Sequence, residues 1–197
     1  MKYFLFIFFS LSLQIALAQD HYKDSLQDYL NTYVKDHEVV TGSDKDFFRF
    51  YPIDKNFRVI ATLAPPKDGK WFSMPTSGKT PQIFRVYGIL HFEIHDTLVT
   101  LNLYQSQNLL QTEKYRDLLF LPFTDQSSGE ETYAAGRYID LTIADIRDNR
   151  VILDFNKAYN PYCAYVSGRY NCPIPPRENQ LQVKIAAGEK KFGKEHN

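Results

Sequence analysis

Residues 83–105 read IFRVYGILHFEIHDTLVTLNLYQ, and this stretch decides the fold class. Apolar and polar residues alternate through its first half, which is the period of a β-strand with one buried face. The residues that we expect to face the core from this strand are Phe84, Val86, Leu90, Phe92 and Ile94, and those on its other face are Arg85, Tyr87, His91 and Glu93. A tight connection at 95–97 leads to a second alternating run, so the stretch predicts an antiparallel hairpin, although its turn lacks the favoured Asn-Gly or Asp-Gly pair.

Short runs with the same period lie on both sides of this hairpin. They are FRVIATL (57–63), KWFSM (70–74), DLLFLPF (117–123), RYIDLTI (137–143), VILDF (151–155) and LQVKI (181–185). Each run is bounded by residues that favour turns, and the chain contains no internal repeat. Many short strands at this spacing predict a mainly β fold, either an antiparallel β-sandwich or a partly open β-barrel.

Residues 21–40 are the one segment with a clear helical period. The residues that form its apolar stripe are Tyr22, Leu26, Tyr29, Leu30, Tyr33 and Val34. Asp20 is a suitable N-cap, and Thr41-Gly42-Ser43 ends the segment. We predict a single N-terminal α-helix within residues 19–42 that packs on the sheet, the alternative being a partner-binding helix. A second short helix is expected from Ser43 through Phe47.

The first 18 residues have the pattern of a secretory signal peptide. Lys2 precedes an apolar run that ends in Ala16-Leu17-Ala18, so we expect cleavage after Ala18 and a periplasmic or secreted protein. The run is interrupted by Gln14 and is too short for a confident membrane span, and no second run is long enough, so no span is expected in the mature chain. The remaining chain is predicted to be a single β-rich domain over 43–190 and a polar tail over 191–197.

The charge and motif content of the chain excludes several classes of function. The chain has 23 basic and 23 acidic residues, and this balance gives no electrostatic basis for nucleic-acid binding. No G-x-S-x-G, Walker or G-x-G-x-x-G pattern is present, and we expect no cofactor. The oligomeric state stays open.

His91, Glu93 and His95 are the residues that most resemble a metal set. They project from one face of the predicted strand. Neighbouring side chains on that face lie about 7 Å apart, whereas a bound metal lies about 2 Å from each ligand. We therefore predict a solvated strand face and no metal site.

The stretch YNPYCAYVSGRYNCPIPP, residues 159–176, contains both cysteines and four of the ten prolines. In an exported protein, a pair of cysteines predicts a disulfide, here between Cys163 and Cys172. Closing a loop of this size adds about 2.5–3 kcal/mol of stability on the chain-entropy model. The alternatives are a reactive thiol and half of a metal site, although none of the histidines lies in this segment.

Polar side chains gather in this stretch, in the loop SSGEETYAAGRY (127–138) and around them. The candidate ligand-binding residues are Asp125, Tyr133, Arg137, Asp154, Asn156, Asn160, Glu178 and Asn179. We expect the two irregular segments to meet at one rim of the β framework. No residue is predicted to be catalytic.

Three longer stretches, LFLPFTDQSSGEETYAAGRYIDL (119–141), LDFNKAYNPYCAY (153–165) and YNCPIPPRENQLQVKIAAGEK (170–190), carry a family likeness. Through them the chain resembles the bacterial family called domain of unknown function 1684. The resemblance implies no activity, because none is established for the family. It implies that the cysteines need not be bridged for folding, and it weakens the metal hypothesis, since the family's hairpin usually lacks both histidines. Ala134-Ala135-Gly136 stands where the family usually has three glycines.

The sequence leaves three functions open. The first is a noncatalytic domain that binds a carboxylate, a sugar or a peptide through an arginine, amides and tyrosines. The second is an extracytoplasmic hydrolase in which two of the acids Asp125, Glu131, Asp154 and Glu178 act as acid and base. The third is a structural domain without a ligand, whose polar residues fix long loops against the sheet.

Overall fold

A computed structural model describes residues 21–194 of the chain. The predicted signal peptide and residues 195–197 lie outside the described residues. The described chain divides into two compact units, the first ending at Glu38 and the second beginning at Val39. The first contains the predicted helix, α1, over residues 21–36. Its packing on the sheet stays a prediction.

The second unit is built around one sheet of seven strands, in which every strand pairing is antiparallel. The strands are β1 Arg58–Ala64, β2 Phe72–Met74, β3 Gln82–Ile94, β4 Thr97–Ser106, β5 Leu118–Phe123, β6 Arg137–Thr142 and β7 Arg150–Asp154. Their order is β6-β5-β4-β3-β1-β7, and β2 pairs with β3. The sheet curls into a half-barrel, so the predicted fold class is confirmed in its open-barrel form.

Short helices fill several connections. A 3-10 helix, Gly42–Phe47, lies where the second short helix was predicted. The four-residue helix α2, Gln107–Leu110, follows β4. None of the helices in the described part of the chain combines the length and apolar character that crossing a membrane requires.

The β3–β4 hairpin forms as predicted, but the two halves of β3 face opposite sides of the sheet. The pairing shifts between Val86 and Gly88, where Val86 lies opposite Tyr104 and Gly88 lies opposite Leu103. This β-bulge reverses the alternation of the side chains. Phe84 therefore packs in a different cluster from Leu90, and the prediction that the two share one face was wrong.

The main core fills the concave side of the half-barrel. Its members from the sheet are Ala61, Leu90, Phe92, Ile94, Leu101, Leu103, Leu119, Leu121, Phe123, Ile139, Leu141, Val151 and Leu153. Phe155 lies at its centre, with its ring 5.3 Å from that of Phe123 and 5.7 Å from that of Phe92. A second cluster of Met74, Phe84 and Tyr104 lies across the sheet on the other face. The alternating pattern of the sequence thus supplies two clusters, one on each side of the sheet.

The predicted last strand, LQVKI, is not a regular strand. Residues 179–183 run beside 124–126 through one isolated parallel bridge and three main-chain hydrogen bonds. At Ile185, the last residue of the run, the partners are side chains, because Asp125 accepts from the Ile185 amide and Arg137 donates to the Ile185 carbonyl. Main-chain hydrogen bonds near Leu181 and side-chain hydrogen bonds at Ile185 thus take the place of a regular strand ladder, and both residues lie in the core.

Candidate functional site

The two irregular segments identified in the sequence meet at one edge of the sheet. Tyr138, on β6, forms an isolated antiparallel bridge with Tyr159, and its hydroxyl donates to the carbonyl of Pro173. The Tyr133 hydroxyl donates to the Cys163 carbonyl over 3.4 Å. The 127–138 loop and the proline-rich stretch therefore form one continuous structure beside β6.

Gly136 shows how tightly these segments pack. It has a φ of +92°, which disfavours residues with a side chain. An added Cβ would also lie 2.5 Å from the carbonyl oxygen of Phe123 and 2.8 Å from Pro175. Glycine at this position is required by the close approach of the two segments.

Arg137 is the central polar residue of this region, and it is completely buried. Its guanidinium donates to the main-chain carbonyls of Ile185, Ala187 and Glu189 and forms an ion pair with Asp125. Burial lowers the pKa of Arg137, and the neighbouring Asp125 carboxylate opposes that change. The residue thus holds the C-terminal segment, and all of its hydrogen-bond partners are groups of the protein itself.

Asp125 is shared between the loop and the C-terminal segment. Its carboxylate accepts from the Ile185 amide at 2.6 Å and from the Ser127 hydroxyl at 2.9 Å. The Ser127 hydroxyl lies 2.9 Å from that of Thr132. This buried chain of hydrogen bonds fixes the turn that begins the 127–138 loop.

Three predicted asparagines connect separate parts of the backbone. Asn179 is buried and bonds with its amide group to Asn102 of β4 and to the carbonyl of Pro122 on β5. Asn156 bonds to both main-chain polar groups of Asp54. In each contact an asparagine side chain takes the place of the main-chain partner that a strand or helix would supply. These side chains are therefore bonded within the protein.

Asn160 and Asp154 have similar surroundings. The Asn160 side chain donates to the carbonyl of Lys190. The main-chain amide of Asn160 donates to the buried carboxylate of Glu189 at 2.9 Å. The Tyr165 hydroxyl donates to the same carboxylate. Asp154 is buried and accepts from the amide and the side chain of Asn156. Glu189 is a structural carboxylate that lies outside the predicted set.

The eight predicted site residues therefore fall into two groups. The side chains of Asp125, Arg137, Asp154, Asn156, Asn160 and Asn179 are buried and bonded within the protein. Tyr133 is half-buried and Glu178 is exposed. The structure brings the loop residues together with the proline-rich stretch, but most of the polar groups face inward.

The cysteines are joined in a disulfide. Cys163 and Cys172 have their Cα atoms 6.3 Å apart, and the bridge closes the predicted loop. Ser77 lies against this bridge, since its amide donates to the Cys172 carbonyl at 2.9 Å and its hydroxyl accepts from the Cys172 amide at 3.1 Å. The bridge closes the proline-rich stretch on itself, and the Ser77 hydrogen bonds hold that stretch against the loop that follows β2.

Four residues form what we call the tyrosine–aspartate face: Phe120, Tyr138, Asp140 and Tyr159. Asp140 lies directly opposite Phe120 on the neighbouring strand. Ring centroids are 4.7 Å apart for Phe120 and Tyr138 and 5.9 Å apart for Tyr138 and Tyr159. The four side chains share the convex side of the sheet, where β5 and β6 meet the proline-rich stretch.

Asp140 is the polar group of this face, and it was not among the predicted residues. Within residues 21–194 its carboxylate accepts one hydrogen bond, from the Tyr159 hydroxyl at 2.8 Å. The residue reaches solvent, yet desolvation by the surrounding protein raises the pKa of its carboxyl. The sequence signal was its position on β6, two residues after Tyr138 and three after Arg137, where the alternation of a strand places it opposite the core.

A second group of polar residues, the Glu131 cluster, lies at the surface end of the 127–138 loop. It consists of Tyr51, Glu131, Lys184, Lys190 and Lys191. The side chains of Tyr51, Lys184 and Lys190 lie around the Glu131 carboxylate. The Lys191 ammonium donates to the carbonyl of Gly129. Tyr51, Glu131 and the three lysines come from three distant parts of the sequence, and the fold alone assembles them.

The three residues that most resemble a metal set in the sequence lie on strand β3 and in the turn that follows it. His91, Glu93 and His95 are exposed, and the His95 ring packs edge-on against Phe57. Within the described residues, no group of three or more histidine, cysteine, aspartate or glutamate side chains is arranged to hold a metal ion.

Comparison with known proteins identifies the family. A family model described as "Protein of unknown function (DUF1684)" matches residues 46–190. The chain belongs to this family. The resemblance found in the sequence is thereby confirmed, and the DUF1684 match contains every residue of the tyrosine–aspartate face and of the Glu131 cluster except Lys191.

A solved structure from another organism has a similar fold. The solution NMR structure of an uncharacterized protein from Haloarcula marismortui matches with a TM-score of 0.65 and 24% identity, covering 88% of this chain and 96% of that one. At this identity the similarity shows the fold and nothing further. No curated protein matches the sequence.

Proposed function

We propose that this protein is an exported, noncatalytic binding domain and that its tyrosine–aspartate face binds a sugar. The observation that carries the proposal is the Asp140 carboxylate, which reaches solvent among aromatic rings with one hydrogen bond among the described residues. The buried residues predicted as ligands then act as a frame. They hold the rim in place and do not contact the ligand.

The chemistry of this face suits a polyhydroxylated ligand. An ionised carboxylate has about four acceptor positions, and the Tyr159 hydroxyl uses one of them. The remaining positions suit pairs of neighbouring sugar hydroxyls. The half-buried rings of Phe120 and Tyr159 supply apolar surface for the C–H face of a sugar ring. Of the ligands considered from the sequence, a free carboxylate fits this face least, because Asp140 would repel it.

A rigid frame supports binding at this place. The disulfide, the Tyr138–Tyr159 bridge and the hydrogen bond from Tyr138 to Pro173 all order the backbone around Asp140. Ordering before binding reduces the conformational entropy that a ligand must otherwise offset. The hydrolase alternative lacks this support, since Asp125 and Asp154, two of its candidate acids, are buried and bonded internally.

The proposal is tested by titrating the mature chain with a panel of monosaccharides and short oligosaccharides while recording amide chemical shifts. We expect at least one sugar to shift amides of residues 118–123, 137–142 and 159–163. The Asp140→Asn variant should weaken that sugar about tenfold or more, because two charge-assisted hydrogen bonds become neutral ones.

The matched control is Asp68→Asn, which changes an exposed aspartate whose side chain is 64% accessible. This variant should bind the sugar as the wild type does. Both variants must retain the amide dispersion of the folded protein. Equal affinity of the Asp140→Asn and wild-type proteins would refute the site, and no shift with any sugar would favour a structural domain without a ligand.

A further inference from the structure

The carboxylate of Glu131 occupies a basic site built from three separate parts of the chain. The Lys184 ammonium contacts its Oε1, and the Lys190 ammonium lies 4.0 Å from its Oε2. The Tyr51 hydroxyl donates to Oε2 over 3.1 Å. A carboxylate between two ammonium groups and a phenol is the arrangement that a bound organic acid would have.

The backbone around Glu131 is fixed independently of its side chain. Its amide donates to the Ser127 carbonyl, and its carbonyl accepts from the Lys191 amide, both at 2.9 Å. Tyr51 is fixed in turn, because its amide donates to the Gly188 carbonyl at 3.0 Å. The Glu131 side chain can therefore leave the site by rotation while the residues that surround it stay in place.

The charges of the cluster are unbalanced. Lys184, Lys190 and Lys191 bring three positive charges, and Glu131 brings one negative charge. The neighbouring pair of Arg137 and Asp125 is neutral as a whole. The Lys190 ammonium also lies 4.9 Å from the centre of the Tyr51 ring, which orders it beside the phenol. An anion with two negative charges would neutralise the two excess positive charges of the cluster.

We propose that the Glu131 cluster is a binding site for small dicarboxylates and that Glu131 is an internal competitor for it. In the unliganded protein the Glu131 carboxylate takes the place of one ligand carboxylate. A dicarboxylate displaces it and contacts Lys184, Lys190 and the Tyr51 hydroxyl with one end. Lys191, whose amide donates to the Glu131 carbonyl and whose ammonium donates to the Gly129 carbonyl, receives the other end.

Partial exposure makes this exchange feasible. The side chains of Glu131, Lys184 and Lys190 are 38%, 48% and 35% exposed, so the ion pairs are partly hydrated. Pairs of this kind contribute little, and their loss is readily offset by a ligand of higher charge. This site is independent of the tyrosine–aspartate face, since the two share no residue.

The decisive variant is Glu131→Gln, which removes the competing charge and keeps an acceptor for the Tyr51 hydroxyl. Succinate binding is measured by isothermal titration calorimetry at low ionic strength, with succinamide as the uncharged control. We expect millimolar affinity for the wild type and an affinity about 3–10-fold higher for Glu131→Gln. Succinamide should bind neither protein.

Lysine variants distinguish the site from general charge. Lys184→Gln should lower succinate affinity at least fivefold. Lys194→Gln is the matched control, because Lys194 is also 48% exposed and also pairs with a carboxylate, that of Asp44 at 2.8 Å. The Lys194→Gln variant should bind succinate with the same affinity as the wild type. Thermal unfolding midpoints show that each variant is folded.

Three results would overturn the proposal. The first is succinate affinity in Glu131→Gln that is equal to or lower than in the wild type. The second is an equal loss in Lys184→Gln and Lys194→Gln, which would indicate attraction to surface charge alone. The third is the absence of binding in both the wild type and Glu131→Gln.

Discussion

The guanidinium of Arg137 lies 3.3 Å from the carboxylate of Asp125, and neither side chain is exposed to solvent. The two residues are 12 positions apart, at opposite ends of the 127–138 loop. Arg137 also binds three carbonyl groups of residues 185–189, while Asp125 binds the Ile185 amide. This one pair therefore connects the loop, strand β6 and the C-terminal segment.

Replacing Arg137 should destabilise the protein strongly. Arg137→Met leaves Asp125 as an uncompensated buried charge and removes donors from three carbonyls. The expected loss in the free energy of unfolding is about 3–5 kcal/mol, measured by urea denaturation. Lys184→Met, which removes a half-exposed cation from the same segment, should have a much smaller effect, because exposed ion pairs contribute little. A loss in Arg137→Met no larger than in that control would contradict the assignment of Arg137 as a structural clamp.

Asn179 gives a second test of the buried hydrogen bonds. Asn179→Ala leaves the amide and carbonyl of Asn102 and the carbonyl of Pro122 without their partner. Each buried group left unsatisfied costs about 1–3 kcal/mol, so we expect a loss of about 3–5 kcal/mol. The adjacent Glu178→Ala changes an exposed residue and should stay within about 0.5 kcal/mol of the wild type. Similar denaturation midpoints for the two variants would show that these contacts do not support the fold.

The raised pKa of the buried Tyr104 leads to a prediction about the stability of the protein at alkaline pH. Burial, with a smaller contribution from the charge of Glu178, raises the pKa of Tyr104 to about 12. An unfolded tyrosine titrates near pH 10, so the unfolded chain loses this proton first. The contribution of the protonated Tyr104 hydroxyl to the free energy of unfolding is complete below about pH 10. It is lost as the pH rises to about 12, by roughly 3 kcal/mol in total.

The test compares the wild type with Tyr104→Phe by urea denaturation at several alkaline pH values. Other tyrosines also titrate in this range, so the informative quantity is the difference between the two proteins. The wild type should lose stability more steeply than Tyr104→Phe above pH 10. Parallel curves would mean that Tyr104 titrates alike in the folded and unfolded chains.

The disulfide should stabilise the fold without being essential to it. The double variant Cys163→Ser/Cys172→Ser opens a short loop, and we expect it to lose about 2–3 kcal/mol while remaining folded. Reductant should lower the unfolding midpoint of the wild type and leave that of the double variant unchanged. A reductant effect of equal size in both proteins would place its cause elsewhere.

The strands of the sheet follow from local sequence, and their exact faces do not. Alternation in residues 83–105 predicted the β3–β4 hairpin, which has the expected extent. The bulge at Tyr87 escaped prediction because a period of two continues through it in the sequence. Its position is set by pairing with β4, where Val86 and Gly88 lie opposite successive residues. The order of polar and apolar residues within one strand does not show how that strand pairs with its neighbour.

The candidate site illustrates the same division. The sequence identified the two segments that meet, and Tyr133 does contact Cys163. It placed Arg137 and Asn179 among ligand-binding residues, whereas the structure shows them buried within internal hydrogen bonds. Asp140 belongs to the prediction only as part of the strand run RYIDLTI. The identity of an arginine or an asparagine in the sequence does not show whether its side chain binds a ligand or the protein's own backbone.

The sequence by itself determined the family, the mainly β class, most strand positions and the cysteine pair, because these depend on composition, period and short-range spacing. Only the tertiary structure decided which polar side chains face inward and that Glu131 lies among Tyr51, Lys184 and Lys190. The physical reason is separation along the chain. Tyr51 and Glu131 are 80 positions apart, and Lys184 is a further 53 positions from Glu131, so their contact arises only when the half-barrel closes on the C-terminal segment.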